Sequence, residues 1–229
     1  MLRVLGRLPR RYAVGTTLCG GAALLAASHA PATNMSAAPS DAALSAMWAA
    51  AIDGMIDVPN CEAISSSDGV VYLAPDANAP TQPWPRIFAK STIFSLTASN
   101  PMGVDAPAAQ NEQMNALLEK DIVELRTEPR AWWRSFGFNA KEGWRENGFS
   151  VAYAHEERVY GRMAVLKLAR KYRQKAIYAF SFEDGHVVRD VIFVGNKYGK
   201  LDESYRERMA ILPSAPATPL AAKGWQQKD

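Results

Sequence analysis

The chain has 229 residues, with 26 lysines and arginines against 23 aspartates and glutamates, and a formal net charge of +3. That length suits a single domain with one hydrophobic core once both ends are trimmed. The two cysteines, Cys19 and Cys61, provide neither a disulfide framework nor a CxxC metal site. The sequence also has no HExxH-like spacing, phosphate loop or dinucleotide fingerprint, so it indicates no bound metal and no cofactor.

The first 40 residues have the composition of an organelle transit peptide. They contain four arginines but no lysine, aspartate or glutamate, and they are rich in alanine, serine, threonine and glycine. Arginine dominance favours a mitochondrion over a plastid. An uncharged stretch at residues 12–30 leaves a secretory signal or a membrane anchor open as the alternative, although its many small residues do not favour a stable membrane span.

The basic charge of the chain belongs to this leader. Without its four arginines, the chain keeps 22 basic against 23 acidic residues, a formal charge of −1. A nearly neutral domain has no general attraction for nucleic acid or for an anionic membrane surface. We therefore expect no DNA binding, and RNA binding is disfavoured.

Residues 41–86 form an N-terminal segment ahead of the main domain. Apolar residues recur at helical spacing from residue 43 onward and predict a packing helix that includes Ile52 and Met55. A turn at residues 65–69 and a short strand at residues 70–74 come next, before a proline-rich connector.

The predicted domain at residues 87–212 is organised around a strand at 93–98, whose apolar and β-branched run is typical of a central strand. Asn100-Pro101 ends this strand, since proline has no N–H for a ladder. An amphipathic helix follows, and it places Asn111 and Asn115 one turn apart. Two amides close to the end of a strand favour recognition of a polar ligand, although asparagines near a loop also commonly satisfy backbone groups.

A segment rich in tryptophan and arginine, residues 129–138, follows a predicted strand at 122–126. It includes Trp133 and Arg134. Such residues build either an aromatic wall over a pocket or a cap on the open end of a small core.

The second half of the domain repeats the pattern of strand and helix. The predicted elements are a strand at 149–155, a helix at 158–173, a hairpin of strands at 176–182 and 187–194, and a terminal helix at 201–212. Residues 213–229 are rich in alanine and proline and predict a disordered tail. From residue 87 on, the order of elements predicts an α+β fold, a ferredoxin-like split βαβ sandwich (βαββαβ plus a C-terminal hairpin strand), with the N-terminal helix packed on it.

Several short patterns in residues 87–194 resemble a known family. They are Thr97-Ala98-x-Asn100-Pro101, Asn111-(x3)-Asn115-x-Leu117, and Leu168-Ala169 followed by Tyr172-x-Gln174-x-Ala176-Ile177-Tyr178. The chain is similar here to domain of unknown function 3293, small proteins mostly of bacteria, but it departs from the typical pattern at Ser99 and Arg173. The resemblance groups Asn100, Asn111, Asn115 and Gln174 and brings no assigned activity.

We predict that a small polar metabolite or a protein partner binds at the Asn-Pro loop. The candidate ligand-binding residues are Asn100, Asn111, Asn115, Gln174, Arg134 and Trp133. Amides fix the orientation of a ligand without supplying charge, which suits recognition better than chemistry.

Two alternatives stay open. The first is an enzyme in which His155 and Glu156 or Glu146 act as acid and base while an arginine such as Arg134 clamps an anion. The second is single-stranded RNA binding by the sheet aromatics, as in ferredoxin-like RNA-binding modules.

Overall fold

The computed structural model describes residues 46–195 and 200–217, with the main chain alone over 200–205. The predicted leader at residues 1–40 and residues 218–229 of the predicted tail lie outside this part. Within the described part, eight strands form one closed barrel. They are β1 (Ile52–Ile56), β2 (Val70–Pro75), β3 (Ser91–Thr97), β4 (Ala131–Asn139), β5 (Trp144–Ala154), β6 (Ala176–Glu183), β7 (His186–Phe193) and β8 (Lys200–Ile211).

Three helices accompany the barrel among the elements with defined bounds. They are α1 (Arg86–Ala89), α2 (Ala108–Val123) and α3 (Arg158–Lys171). Two short 3-10 turns, Pro101–Gly103 and His155–Glu157, follow β3 and β5, and residues 46–49 are helical. No helix of the described part is long and apolar enough to cross a membrane.

The strands follow one another around the barrel in the order β1-β2-β8-β7-β6-β3-β5-β4, and β4 returns to β1. Every pair of neighbours is antiparallel. Closure leaves no strand edge free to pair with another chain. β1 and β2 lie within the predicted N-terminal segment at residues 41–86, and they complete the same barrel as the later strands.

The predicted ferredoxin-like fold is wrong. A ferredoxin-like sandwich is an open four-stranded sheet with its helices on one face. Here the sheet that contains β6, β3, β5 and β4 continues through β7, β8, β2 and β1 and closes into a barrel. The strands at 93–98, 149–155, 176–182 and 187–194 and both long helices were predicted correctly. What the sequence reading missed is the set of strands that closes the barrel, namely β1, β4 and β8.

Each missed strand has a local reason. Ile52 and Met55 fit helical spacing with the residues before them, yet they lie in β1. The predicted helix at residues 201–212 is β8, and the tryptophan-rich segment is β4. Conversely, the predicted strand at residues 122–126 begins in the last turn of α2. In each case the tertiary partner decides between two local patterns.

The described residues form three hydrophobic clusters, of which the two largest lie on opposite faces of the barrel wall and the third includes Tyr72 and Phe136 on β2 and β4. α2 and α3 cover the outer faces of β3, β5, β6 and β7, where side chains such as Phe94, Leu118 and Val165 pack together. A second core fills part of the interior and includes Ile93 and Trp133. Alternation along each strand sends neighbouring residues to opposite cores.

The two ends of the barrel differ. We call the end where β3 and β4 finish and β5 and β6 begin the Asn-Pro end, because Asn100 and Pro101 follow β3 there. α1 lies at the opposite end, where the buried Phe88 joins the interior core. The apolar interior core therefore occupies the α1 end, and the interior nearer the Asn-Pro end is more polar.

Candidate functional site

The Asn-Pro loop turns through left-handed backbone conformations. Asn100 has φ 45° and ψ 60°, and Met102 and Gly103 follow with φ of 61° and 71°. Asparagine tolerates this region better than most residues because its short side chain bonds locally. The N–H of Met102 donates to the carbonyl of Arg173 at 2.8 Å, which ties the loop to the end of α3.

Asn111 holds Asn100 through reciprocal hydrogen bonds. The backbone N–H of Asn100 donates to Asn111 Oδ1 at 2.9 Å, and Asn111 Nδ2 donates to Asn100 Oδ1 at 2.9 Å. The N–H of Ala106 also donates to Asn100 Oδ1, at 3.1 Å. The loop therefore fixes the direction of the Asn100 side chain before any ligand is considered.

Asn115 and Gln174 are buried behind the loop and bind the chain itself. Asn115 Oδ1 accepts from the N–H of Ala98 at 2.9 Å, and its Nδ2 donates to Ser99 Oγ at 2.9 Å and to the carbonyl of Asn147 at 3.1 Å. Gln174 Nε2 donates to the carbonyl of Ser99 at 2.9 Å. In this geometry the two amides join α2 and the end of α3 to the end of β3.

Arg134 and Trp133 lie on opposite sides of β4. Trp133 faces the interior and is buried. Arg134 is exposed on the outer face, where its Nη2 lies 3.7 Å from Glu119 Oε1 of α2. The structure therefore does not bring these two residues to one surface, and of the two only Trp133 faces the barrel interior.

The Asn-Pro loop reaches the barrel interior through Glu146. Asn100 Nδ2 donates to Glu146 Oε1 at 2.8 Å. Glu146 faces inward, because it pairs with Gly137 on β4, and Gly137 in turn pairs with Asp53 on β1. Two carboxyl groups, from the strands on either side of β4, thus flank a glycine inside the barrel.

Glu146 is poised to change protonation near neutral pH. Burial raises the pKa of its carboxyl to about 7, and the negative charge of Asp105 also raises this pKa. The hydrogen bond from Asn100 acts in the opposite direction and lowers the pKa. A carboxyl with such a pKa serves equally as an acceptor for a donor ligand and as a general acid or base.

Gly137 lies beside these carboxyl groups and has room for a Cβ. A Cβ added at Gly137 would lie 3.8 Å from the ring of Trp144 and 4.0 Å from Asp53 Oδ1, which are ordinary contact distances. Ser135 precedes Gly137 by two positions on the same inward face of β4. On the next two strands, the inward hydroxyls of Ser95 and Ser150 lie 2.6 Å apart.

A buried arginine forms the other wall of this interior. Arg189 is fully buried, with Nη1 2.6 Å from Asp53 Oδ2 and Nη2 2.6 Å from Glu207 Oε2. Its guanidinium lies 4.8 Å from the ring centre of Tyr178. Burial raises the pKa of Asp53 to about 6, against the lowering effect of Arg189. We call Asp53, Gly137, Glu146 and Tyr178 the interior site.

His155 lies far from the interior site. Its Nε2 lies 3.2 Å from the carbonyl oxygen of Ala89 and its Nδ1 lies 3.4 Å from Thr92 Oγ1, at the α1 end of the β3–β5 ladder. Glu146 lies at the other end of that ladder. Glu156 is exposed beside His155. The described residues contain no group of three or more His, Cys, Asp or Glu arranged to hold a metal ion.

Sequence reasoning missed Asp53, Tyr178, Arg189 and Glu207. A signal for Arg189 was present, because a charged pair interrupts the otherwise apolar run at residues 187–194. A charge inside a buried strand requires a partner. No local pattern identified Asp53 as that partner, because it lies 136 positions away in sequence.

Residues 96–177 match the family described as Protein of unknown function (DUF3293), which confirms the resemblance found in the sequence over a narrower range than 87–194. The matched segment contains Asn100, Gly137, Glu146 and Gln174, whereas Asp53, Tyr178 and Arg189 lie outside it. Comparison with curated proteins and with solved structures finds no match.

Proposed function

We propose that the chain, whose residues 96–177 match the DUF3293 family, binds a small polar molecule inside the Asn-Pro end of its barrel. The observation that carries the proposal is Glu146, an inward carboxyl that the Asn-Pro loop holds through Asn100. The family description assigns no function.

The amide residues act in this proposal as a scaffold. Asn111 fixes Asn100, and Asn100 fixes one oxygen of Glu146. The amides thus bind the chain, and the charged group that they position faces the ligand. A site prepared in this way loses little entropy when a ligand binds.

The architecture limits the size and chemistry of the ligand. An eight-stranded barrel is wide enough for its own side chains to fill it or for one small ligand. Small inward residues such as Ser135 and Gly137 keep the side-chain volume low at this end. Glu146 and Asp53 are acceptors when ionised, so the ligand presents N–H or O–H donors to them.

A second candidate function is an enzyme with Glu146 as general acid or base. The observation that favours it is the pKa of Glu146 near 7, which suits proton transfer at neutral pH. His155 and Glu156 have no part in this version because they lie at the α1 end. Following a bound compound by NMR over hours separates the two candidates, since only an enzyme converts it.

A thermal-shift screen of the full chain against small polar metabolites tests the proposal. A ligand at about 100 times its Kd adds about 2.7 kcal/mol of stability, and for a domain of this size we expect Tm to rise by roughly 5–10 °C. Glu146→Gln is expected to remove most of this rise. Glu119→Gln, a control on the outer face of α2, is expected to keep it. Hits that stabilise the parent and Glu146→Gln equally contradict the site.

We also propose a mitochondrial address, as the composition of residues 1–40 predicts. A fluorescent protein fused behind these residues should colocalise with a mitochondrial dye. Fluorescence confined to the secretory pathway would support the alternative of a signal or anchor instead.

A further inference from the structure

We propose that residues 46–51 form a strap that closes the Asn-Pro end of the barrel, and that its release controls access to the interior site. As a control of access, the inference rests on the proposed function. The strap lies directly before β1, at the same end as Asn100 and Glu146.

The backbone carbonyls of the strap point into the barrel. Arg189 Nη2 donates to the carbonyls of Trp48 at 3.2 Å and Ala49 at 2.8 Å, and Nη1 donates to Ala51 at 2.8 Å. The hydroxyl of Tyr178 donates to the carbonyl of Trp48 at 3.1 Å. Since Arg189 and Tyr178 both face inward, these carbonyls lie over the interior site.

Side chains, rather than a strand ladder, hold the strap in place. The pairing of β1 with β4 begins at Ile52, after the strap. In the part of the chain that the structure describes, the hydrogen bonds from the barrel to the strap come from Arg189 and Tyr178, and the ring of Trp48 lies 6.1 Å from that of Phe193. Release therefore breaks a few side-chain contacts and separates no strands, which is typical of local opening.

Arg189 remains paired when the strap leaves. Asp53 and Glu207 hold its guanidinium from the barrel wall, independently of the strap. A buried cation that lost all its partners would oppose opening strongly. Because two carboxylates remain, Arg189 works as a fixed latch, and the released carbonyls of the strap bind water.

Thiol labelling of the full chain measures this opening without any ligand. Ser135→Cys places a reporter thiol on the inward face beside Gly137, and Ser150→Cys is a second reporter should the first variant fail to fold. The native Cys61 is buried in the interior core and provides the internal control for global opening. Peptide mapping by mass spectrometry assigns the labelled positions.

Tyr178→Phe weakens the latch by one hydrogen bond and keeps the ring beside Arg189. A net hydrogen bond of about 1 kcal/mol corresponds to roughly a fivefold change in an opening equilibrium. We expect Tyr178→Phe to speed labelling of the reporter thiol about fivefold and to leave the rate at Cys61 unchanged. Comparing parent and variant at each position cancels the intrinsic reactivity of each thiol.

Two results overturn the strap. If Tyr178→Phe accelerates both thiols equally, the interior opens only by global unfolding. If it accelerates neither, the contacts at residue 48 do not control access. The ligand screen and the labelling experiment fail independently. If the screen finds no ligand but Tyr178→Phe speeds labelling of the reporter thiol alone, the proposed function is contradicted and the opening of the strap is still supported.

Discussion

Replacing Glu146 by glutamine should make the protein more stable at alkaline pH and change how stability depends on pH. The pKa of this carboxyl is about 7 in the folded protein, against an ordinary value of 4.5. Each tenfold change in proton affinity corresponds to about 1.4 kcal/mol. The difference between the two pKa values therefore limits the change in the free energy of unfolding to about 3 kcal/mol. Part of the side chain is exposed, so the measured effect is expected to be smaller.

The sign follows from which state holds the proton. Below pH 4.5 the carboxyl is protonated in both states, and Glu146 adds no dependence on pH. Between pH 4.5 and about 7 the unfolded chain loses its proton while the folded protein keeps it, so folding stability falls as pH rises. Asp53 acts in the same direction between pH 3.8 and about 6, in the parent and the variant alike.

Urea unfolding of parent and Glu146→Gln between pH 5 and 8 measures the difference. Glutamine keeps a side-chain oxygen for the hydrogen bond from Asn100. We expect the free energy of unfolding of Glu146→Gln, relative to that of the parent, to rise by about 1–3 kcal/mol from pH 5 to pH 8. Glu142→Gln, which removes an exposed carboxyl from the same hairpin, is the control and should give a nearly constant difference. A constant difference for Glu146→Gln as well would refute the raised pKa of this partly buried carboxyl.

Three further substitutions test the packing around the site by urea unfolding. Arg189→Met leaves the buried carboxylate of Asp53 and the partly exposed one of Glu207 without their cation. It should lower the free energy of unfolding by about 3–5 kcal/mol, and a loss below 1 kcal/mol would contradict the ion cluster. Asn115→Ala removes the partner of the N–H of Ala98 and of the carbonyl of Asn147. It should lower the free energy of unfolding by about 2–4 kcal/mol. Gly54→Ala drives a methyl group into the ring of Phe136 and should cost about 1–3 kcal/mol, whereas Gly137→Ala meets only ordinary contacts and should cost less.

The sequence predicted local elements well where the burial of one face decides the structure. β3 is a nearly continuous apolar run, β5 and α3 carry a clear periodicity, and the hairpin of β6 and β7 has an Asp-Gly turn with Gly185 at φ 83°. β1 and β8 instead carry charged residues on their inward faces because the interior of this barrel is partly polar. The alternation that identifies a half-buried strand is therefore weak in the strands that close the barrel.

The candidate site was predicted in its parts but not in its arrangement. Asn100 and Asn111 were grouped by the family resemblance and by their place near the end of the strand, and the structure does bring them together. The sequence analysis named Glu146 only in the alternative of an enzyme that uses His155. It did not connect Glu146 with Asn100, which lies 46 positions away in the sequence. The register of β3 with β5 places Glu146 near Asn100, and no single segment of sequence contains that information. Whether these residues bind a ligand stays a prediction.

The measurement that tests the central claim most directly is an NMR titration of the isotope-labelled full chain with the strongest hit of the thermal-shift screen. Binding inside the Asn-Pro end predicts that the largest backbone shift changes fall at Gly137, Glu146 and the strap, with small changes along the outer faces of α2 and α3. Changes concentrated on those outer helical faces, with Glu146 unmoved, would contradict an interior site.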